Sequence, residues 1–249
     1  MTAFSLVAHR GYPRQFPDNS LAGIRAALDA GARYLEVDVQ TSTDGTPYLF
    51  HDDDLWRVAG CAGELTELDD VAIGKLRAAE AARLGTTFAD EPIARLSDLA
   101  EELARWPEVF CFVEIKPIAA QRSGAGAVVR QVLKAIEGLE KRTAIISFSL
   151  ACLRETRALS SLALAPIIES WSDLDSPALR GLQPEFLFSN TRHLPEYGEI
   201  NLPQIDGTRL VVYEVTDPDE AVALAERGAE FVETFHYPEM RAALAGRTS

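Results

Sequence analysis

Eight short runs of β-forming residues alternate with helix-type segments along the 249-residue chain, and this alternation constrains the fold more than any single motif. The runs fall at residues 4–9, 33–39, 109–115, 143–147, 162–168, 185–189, 209–216 and 229–234. Parallel strands need crossover connections, so strand–helix alternation implies a parallel sheet wrapped in helices. Eight such units in about 250 residues match a (β/α)8 TIM barrel, the α/β fold class expected here. Helix borders support the register. Asp217-Pro218-Asp219-Glu220 supplies a cap, a proline at the first helical position and acids in the first turn, and Gly228 ends that helix. Leu21, Ile24 and Leu28 recur at helical spacing before Gly31. The two glycines open similar junctions, Gly31-Ala32-Arg33-Tyr34-Leu35-Glu36 and Gly228-Ala229-Glu230-Phe231-Val232-Glu233. If these align, Glu233 takes the inward position of Glu36, and Phe235 that of Asp38.

Nothing divides the chain, so one domain over residues 1–249 is expected. Residues 52–92 lack clear strands and read as a loop and helical insertion covering the C-terminal face of the barrel. Helix signals are least regular over residues 169–204, where Pro177, Pro184, Pro195 and Pro203 interrupt them.

The formal net charge of -14 would repel a polyphosphate backbone, so nucleic acid is not an expected partner. An acidic protein that handles an anionic phosphate must neutralise charge locally, and a bound cation does so. No apolar run approaches the roughly 20 residues of a membrane span, so no stable membrane anchor is expected. The opening lacks a basic region followed by a long apolar stretch, and the expectation is a cytoplasmic protein. Cys61, Cys111 and Cys152 share no close spacing, which suits a reduced compartment and offers no zinc knuckle. Oligomeric state is not legible from the sequence.

Glu36 and Asp38 stand two apart in a strand, so both carboxylates share one face while Leu35, Val37 and Val39 share the other. Two inward acids repel unless a cation sits between them; a half-solvated edge strand would give the same pattern. Glu114 and Lys116 repeat this geometry before Pro117. They read either as a self-satisfied pair at the barrel rim or as a metal carboxylate beside a phosphate donor. His9-Arg10-Gly11 ends the first run and could supply a proton carrier, a phosphate clamp and a tight turn. His51-Asp52 follows a turn at Asp44-Gly45 and a short strand at 48–50, a hairpin that returns His51 beside Glu36 and Asp38. His193 and His236 match no motif and read as surface residues.

Taken in order, these residues resemble the glycerophosphodiester phosphodiesterase family: His9-Arg10-Gly11, Pro17-Asp18-Asn19-Ser20, Glu36-Val37-Asp38, Asp44-Gly45, His51-Asp52, Val113-Glu114-Ile115-Lys116 and Ile146-Ser147-Phe148. The resemblance is dense over residues 6–60 and continues in islands to about 150. It implies metal-dependent hydrolysis of a small-molecule glycerophosphodiester to an alcohol and sn-glycerol 3-phosphate. It further implies one divalent cation, Mg2+ or Ca2+, on Glu36, Asp38 and Glu114. His9 and His51 would then be the acid/base pair, with Arg10 and Lys116 binding phosphate.

Three departures bear on the substrate's alcohol end. Asp18 replaces the family's usual glutamate, Tyr213-Glu214-Val215-Thr216 replaces Trp-Thr-Val-Asn, and Thr234-Phe235-His236-Tyr237-Pro238 replaces Thr-Asp-Tyr-Pro. Together with the junction register, they suggest an acid–aromatic wall of Tyr213, Glu214, Glu233 and Phe235 that favours a cationic or bulky head group. A rim salt bridge is the plainer reading of Glu233. Two alternatives to the soluble diester hydrolase stay open. One is a lysophospholipase D or sphingomyelinase D-like phosphodiesterase; the other is a catalytically silent barrel that binds a phosphorylated ligand.

Overall fold

The computed structural model describes residues 4–202, 205 and 207–246; the expectations touching residues 1–3, Pro203 and Gln204 lie outside these. The strands are β1 (Ser5–His9), β2 (Tyr34–Thr41), β3 (Pro47–Leu49), β4 (Phe110–Ile115), β5 (Thr143–Ser147), β6 (Ala163–Ile168), β7 (Phe186–Asn190), β8 (Arg209–Tyr213) and β9 (Phe231–Thr234). Pairing runs β1-β9-β8-β7-β6-β5-β4-β2, and β1 returns to β2. The eight expected runs therefore form a closed parallel (β/α)8 barrel. β3 pairs antiparallel with β2 and is a hairpin flap outside the ring. β8 stops at Tyr213, short of the expected Thr216.

Alternation along each strand sorts the side chains. Leu35, Val37 and Val39 of β2 join Ile24 and Leu28 of the helix Leu21–Asp29 in the outer core, with Val113 and Ile115 of β4. Tyr34, Glu36, Asp38 and Gln40 take the inner face. The helix borders behave as their residues dictate. Ser20 caps Leu21–Asp29 by accepting from the Gly23 N–H, and Asp217 caps Pro218–Glu226 by accepting from the Asp219 N–H.

Register sets the height of each inward residue. Following the pairings once around the barrel slips the ladder by about eight residues, the shear of this fold, or one residue per strand step. Val7 pairs with both Tyr34 and Glu233. Two strand steps separate β9 from β2, so Glu233 stands level with Glu36, as the matching junctions suggest. The same stagger yields rings of four residues from alternate strands. Val7, Phe112, Ala165 and Val211 make an apolar ring. Glu36, Ile146, Phe188 and Glu233 lie above it, followed by His9, Glu114, Ile167 and Tyr213.

Below the polar rings the interior is aromatic. Phe112 packs perpendicular to Phe186 at 5.0 Å between centroids and edge-on to Phe188 at 5.1 Å. This floor excludes water and lowers the local dielectric under every charge in the barrel mouth. Residues 52–92 form short helices, among them Trp56–Ala59, Asp70–Ile73 and Ala81–Leu84, around a separate core of Phe50, Leu55, Val58, Leu65 and Ile73.

Candidate active site

The chain turns sharply as it leaves β1. Arg10 has φ 54° and Gly11 φ 85°. A Cβ on Gly11 would lie 2.7 Å from the Ile24 nitrogen, so only glycine lets this turn pass over the helix N-terminus. The turn points Arg10 back across the barrel mouth, where its Nε lies 2.9 Å from Asp38 Oδ2. Asn19, also at positive φ, grips the same acid twice: its Nδ2 donates to Asp38 Oδ2 at 2.9 Å and its Oδ1 accepts from the Asp38 N–H at 3.1 Å.

Lys116 sits 2.9 Å from Glu114 Oε1 and 3.4 Å from Asp38 Oδ1. The Glu–Lys pair foreseen at the rim exists, and the lysine is also shared with Asp38. One oxygen from each of Glu36, Asp38 and Glu114 lies within 4.8 Å of the others, and all three residues are buried. Burial would raise the Asp38 carboxyl, but Arg10 and Lys116 more than reverse this and hold it well below the usual carboxylate range. Glu36 goes the other way. Burial, then Asp38 and Glu233, push it well above that range. Both its oxygens are buried without a hydrogen-bond partner among the described residues. That combination of an all-oxygen triad and an orphaned carboxylate fits a hard divalent cation.

His9 stands beside this triad, with Nε2 3.5 Å from Glu36 Oε2 and Nδ1 3.8 Å from Glu233 Oε2. Burial, reinforced by Arg10, holds its imidazole well below the ordinary value, which favours the neutral form. Phe235 stacks on it at 4.4 Å between centroids. His51 is held from the other side. Its Nδ1 lies 2.8 Å from Asp52 Oδ1, and Arg57 binds both oxygens of Asp52. Arg57 continues to Asp18 Oδ2 at 3.1 Å, and Asp18 to Arg10 at 3.3 Å. A line of alternating charges thus connects Asp38 to His51 through the insertion.

These groups surround a cavity of about 230 Å³ lined by His9, Arg10, Glu36, His51, Glu114 and Lys116 on its charged side. Ile146, Ile167, Phe188 and Tyr213 form the opposite side. A groove of about 880 Å³ shares His51, Lys116 and Phe148 with the cavity and runs outward past Ile118, Ala120 and Glu169.

Of the five residues expected around the substrate's alcohol end, Tyr213, Glu214 and Glu233 line the cavity. Phe235 does not: one face of its ring carries His9, and the Arg10 guanidinium lies 5.5 Å from its centroid, so it is not free to stack on a head group. Asp18 stands behind Arg10, where Arg57 and Arg83 also reach it. Among the described residues Glu233 has no rim salt bridge; it is 2% exposed and its one partner within ion-pair distance is the buried His9. His193 and His236 are half-buried. Sequence reasoning missed Gln40, whose amide donates to the Asp52 and His51 carbonyls at 2.7 and 3.3 Å and so fixes the His51 backbone. Its place two residues beyond Asp38 was the available signal. It also missed Arg192, a cavity residue in the proline-interrupted region.

Known proteins resemble this chain in sequence and in fold. Residues 9–235 match the Glycerophosphoryl diester phosphodiesterase family. Mouse Glycerophosphodiester phosphodiesterase 1 is 36% identical over 121 residues, covering 49% of this chain but only 36% of the relative. The glycerophosphodiester phosphodiesterase of Caldanaerobacter subterraneus is 29% identical over 157 residues, 62% of each chain. The fold superposes on an Oleispira antarctica phosphodiesterase solved with its product sn-glycerol-3-phosphate, with TM-score 0.83, 21% identity and coverage of 97% of this chain and 96% of that one. It also superposes on a glycerophosphodiester phosphodiesterase from Parabacteroides distasonis, with TM-score 0.79, 20% identity and coverage of 100% and 99%. With the family matching nearly the whole barrel, the chain belongs to the glycerophosphoryl diester phosphodiesterase family.

Proposed function

We propose that the chain hydrolyses glycerophosphodiesters to an alcohol and sn-glycerol 3-phosphate, using one Mg2+ or Ca2+ on Glu36, Asp38 and Glu114. One observation carries this reading. The three carboxylates converge within 4.8 Å of one another beside a cavity lined by both His9 and His51. The names of the mouse and Caldanaerobacter relatives support the same activity. When bound, the cation withdraws charge from the phosphoryl oxygens. Arg10 and Lys116, at the edge of the triad, receive the remaining phosphate oxygens as charge builds on them. His9 is buried with its lone pair available, so it accepts the proton of the attacking hydroxyl, either of water directly or of the neighbouring glycerol carbon, in which case water must then open the cyclic phosphate to give sn-glycerol 3-phosphate. His51, with Nδ1 on Asp52, presents Nε2 to protonate the departing alkoxide. Such transfers contribute about 10²–10⁴-fold each. The glycerol carbons fit the Ile146, Ile167 and Phe188 side, and the alcohol leaves along the outer groove.

Glycerol 3-phosphate release from glycerophosphocholine and glycerophosphoglycerol, with Mg2+, with Ca2+ and with chelator, tests this directly. Activity should vanish in chelator and fall at least 100-fold in His9→Ala and His51→Ala. Turnover indifferent to all three would end the proposal. The apolar flank of the outer groove, Ile118, Ala120, Ala125 and Phe148, favours a lysophospholipase D-type substrate as a second reading. Lysophosphatidylcholine in the same assay separates the two.

A further inference from the structure

The charges around the cavity do not balance evenly. On the side of Lys116, two permanent cations, Arg10 and Lys116, face two carboxylates, Asp38 and Glu114, at 2.9 to 3.4 Å. On the opposite side Glu36 and Glu233 have, among the described residues, only the imidazole of His9 within ion-pair distance. These two glutamates share one ring of the barrel, with β1 and His9 between their strands.

One donor atom from each of His9, Glu36 and Glu233 lies within 4.8 Å of the other two. The three residues are 5%, 1% and 2% exposed. Four of their polar atoms, His9 Nδ1, both Glu36 oxygens and Glu233 Oε1, have no hydrogen-bond partner among the described residues. Buried polar atoms left without partners are uncommon and mark a strained site, a catalytic group or a missing ion. The stacked Phe235 ring holds the imidazole in place between the two acids. Two unmatched carboxylates, one facing each nitrogen of a single imidazole, carry the charge and the donor set of a divalent transition ion, with Glu214 Oε1 also 3.9 Å from Nδ1.

We propose that His9, Glu36 and Glu233 form a second cation site, selective for Zn2+ over Mg2+ and Ca2+, whose occupancy switches off hydrolysis. It shares Glu36 with the oxygen-only triad. The imidazole is the source of selectivity, because nitrogen donors suit Zn2+ whereas Mg2+ and Ca2+ favour oxygen. The inhibitory sign follows from the lone pair: a nitrogen bound to an ion cannot accept the proton of the attacking hydroxyl. This regulation rests on the acid/base role proposed for His9 above.

Equilibrium dialysis against Zn2+, with metal content measured per chain, tests the site without reference to turnover. Wild type should bind two Zn2+, and Glu233→Gln and Glu233→Val should each bind one. In parallel, Zn2+ is titrated into the diesterase assay at saturating Mg2+, each protein being compared with its own zinc-free rate. The half-inhibiting concentration should rise at least tenfold in both variants. Circular dichroism establishes that each variant is folded. A single Zn2+ per wild-type chain overturns the second site whatever the variants do, and so does a variant that still binds two. One ion with Mg2+-dependent turnover intact refutes the inhibitory site alone; no bound ion and no chelator effect refutes the hydrolase mechanism itself.

Discussion

Replacing Glu36 with glutamine should make the metal-free protein more stable at pH 8, although it removes a proposed metal ligand. An oxygen of Glu36 lies within 4.8 Å of one on Glu233, and among the described residues neither carboxylate has a permanent cation paired with it. At an effective dielectric of about 20, two unit charges at that separation repel by about 3.5 kcal/mol. Protonation limits how much of this the wild type suffers, so a gain of about 1–3 kcal/mol is expected at pH 8. For a chain of this size that is about 3–10 °C in Tm. The pH dependence carries a definite sign. Burial and neighbouring acids raise the Glu36 pKa in the folded state. Its stabilising contribution is therefore full below the unfolded value and is lost as pH rises through the folded one. The two proteins should be nearly equal at pH 5 and diverge toward pH 8. Urea unfolding in chelator at several pH values measures this. Mg2+ at 100 times its Kd should then return about 2.7 kcal/mol to wild type and little to the variant. A variant less stable than wild type in chelator at pH 8, or a gap independent of pH, would refute the reasoning.

Asn19→Ala should cost about 2–4 kcal/mol in urea unfolding. It orphans the buried Asp38 N–H and leaves alanine at φ 58°, and an unchanged midpoint would count against the amide clamp. Gly11→Ala combines φ 85° with a 2.7 Å approach to the Ile24 backbone, so a loss of at least about 2 kcal/mol is expected in the same assay. A near-neutral substitution would mean that the turn after β1 is looser than its packing implies.

The staves of the barrel were legible because one face of each strand must be apolar to meet the helices. Leu35, Val37 and Val39 announced that face, which put Glu36 and Asp38 together on the other; barrel closure, rather than the pattern itself, turned that face inward instead of toward solvent. The Gly31 and Gly228 junctions carried enough register to place Glu233 level with Glu36. What they could not carry was the neighbourhood of each side chain. Phe235 read as a wall for the substrate, yet its ring is taken by His9, a contact between the first strand and the last. Arg57 and Glu80 were invisible for a different reason. Arg57 sits in the four-residue helix Trp56–Ala59 and Glu80 just ahead of Ala81–Leu84, neither with sustained periodicity, and their partner Asp18 is far away in sequence. Lys116 was ambiguous between a rim pair and a phosphate donor because spacing on one strand shows only Glu114; its second partner, Asp38, comes from the neighbouring strand.

The excursion between β3 and β4 is more than a canopy. Arg57 grips Asp52 on one side and Asp18 on the other, so the segment adds a side-chain brace between two loops whose backbones β2 already holds through Asn19 and Gln40. A chain stripped of residues 52–92 could keep every stave and still let the His51 ring swing freely. Any replacement of Arg57 must therefore still present a cation to both aspartates if the His51 imidazole is to keep its bracing through Asp52.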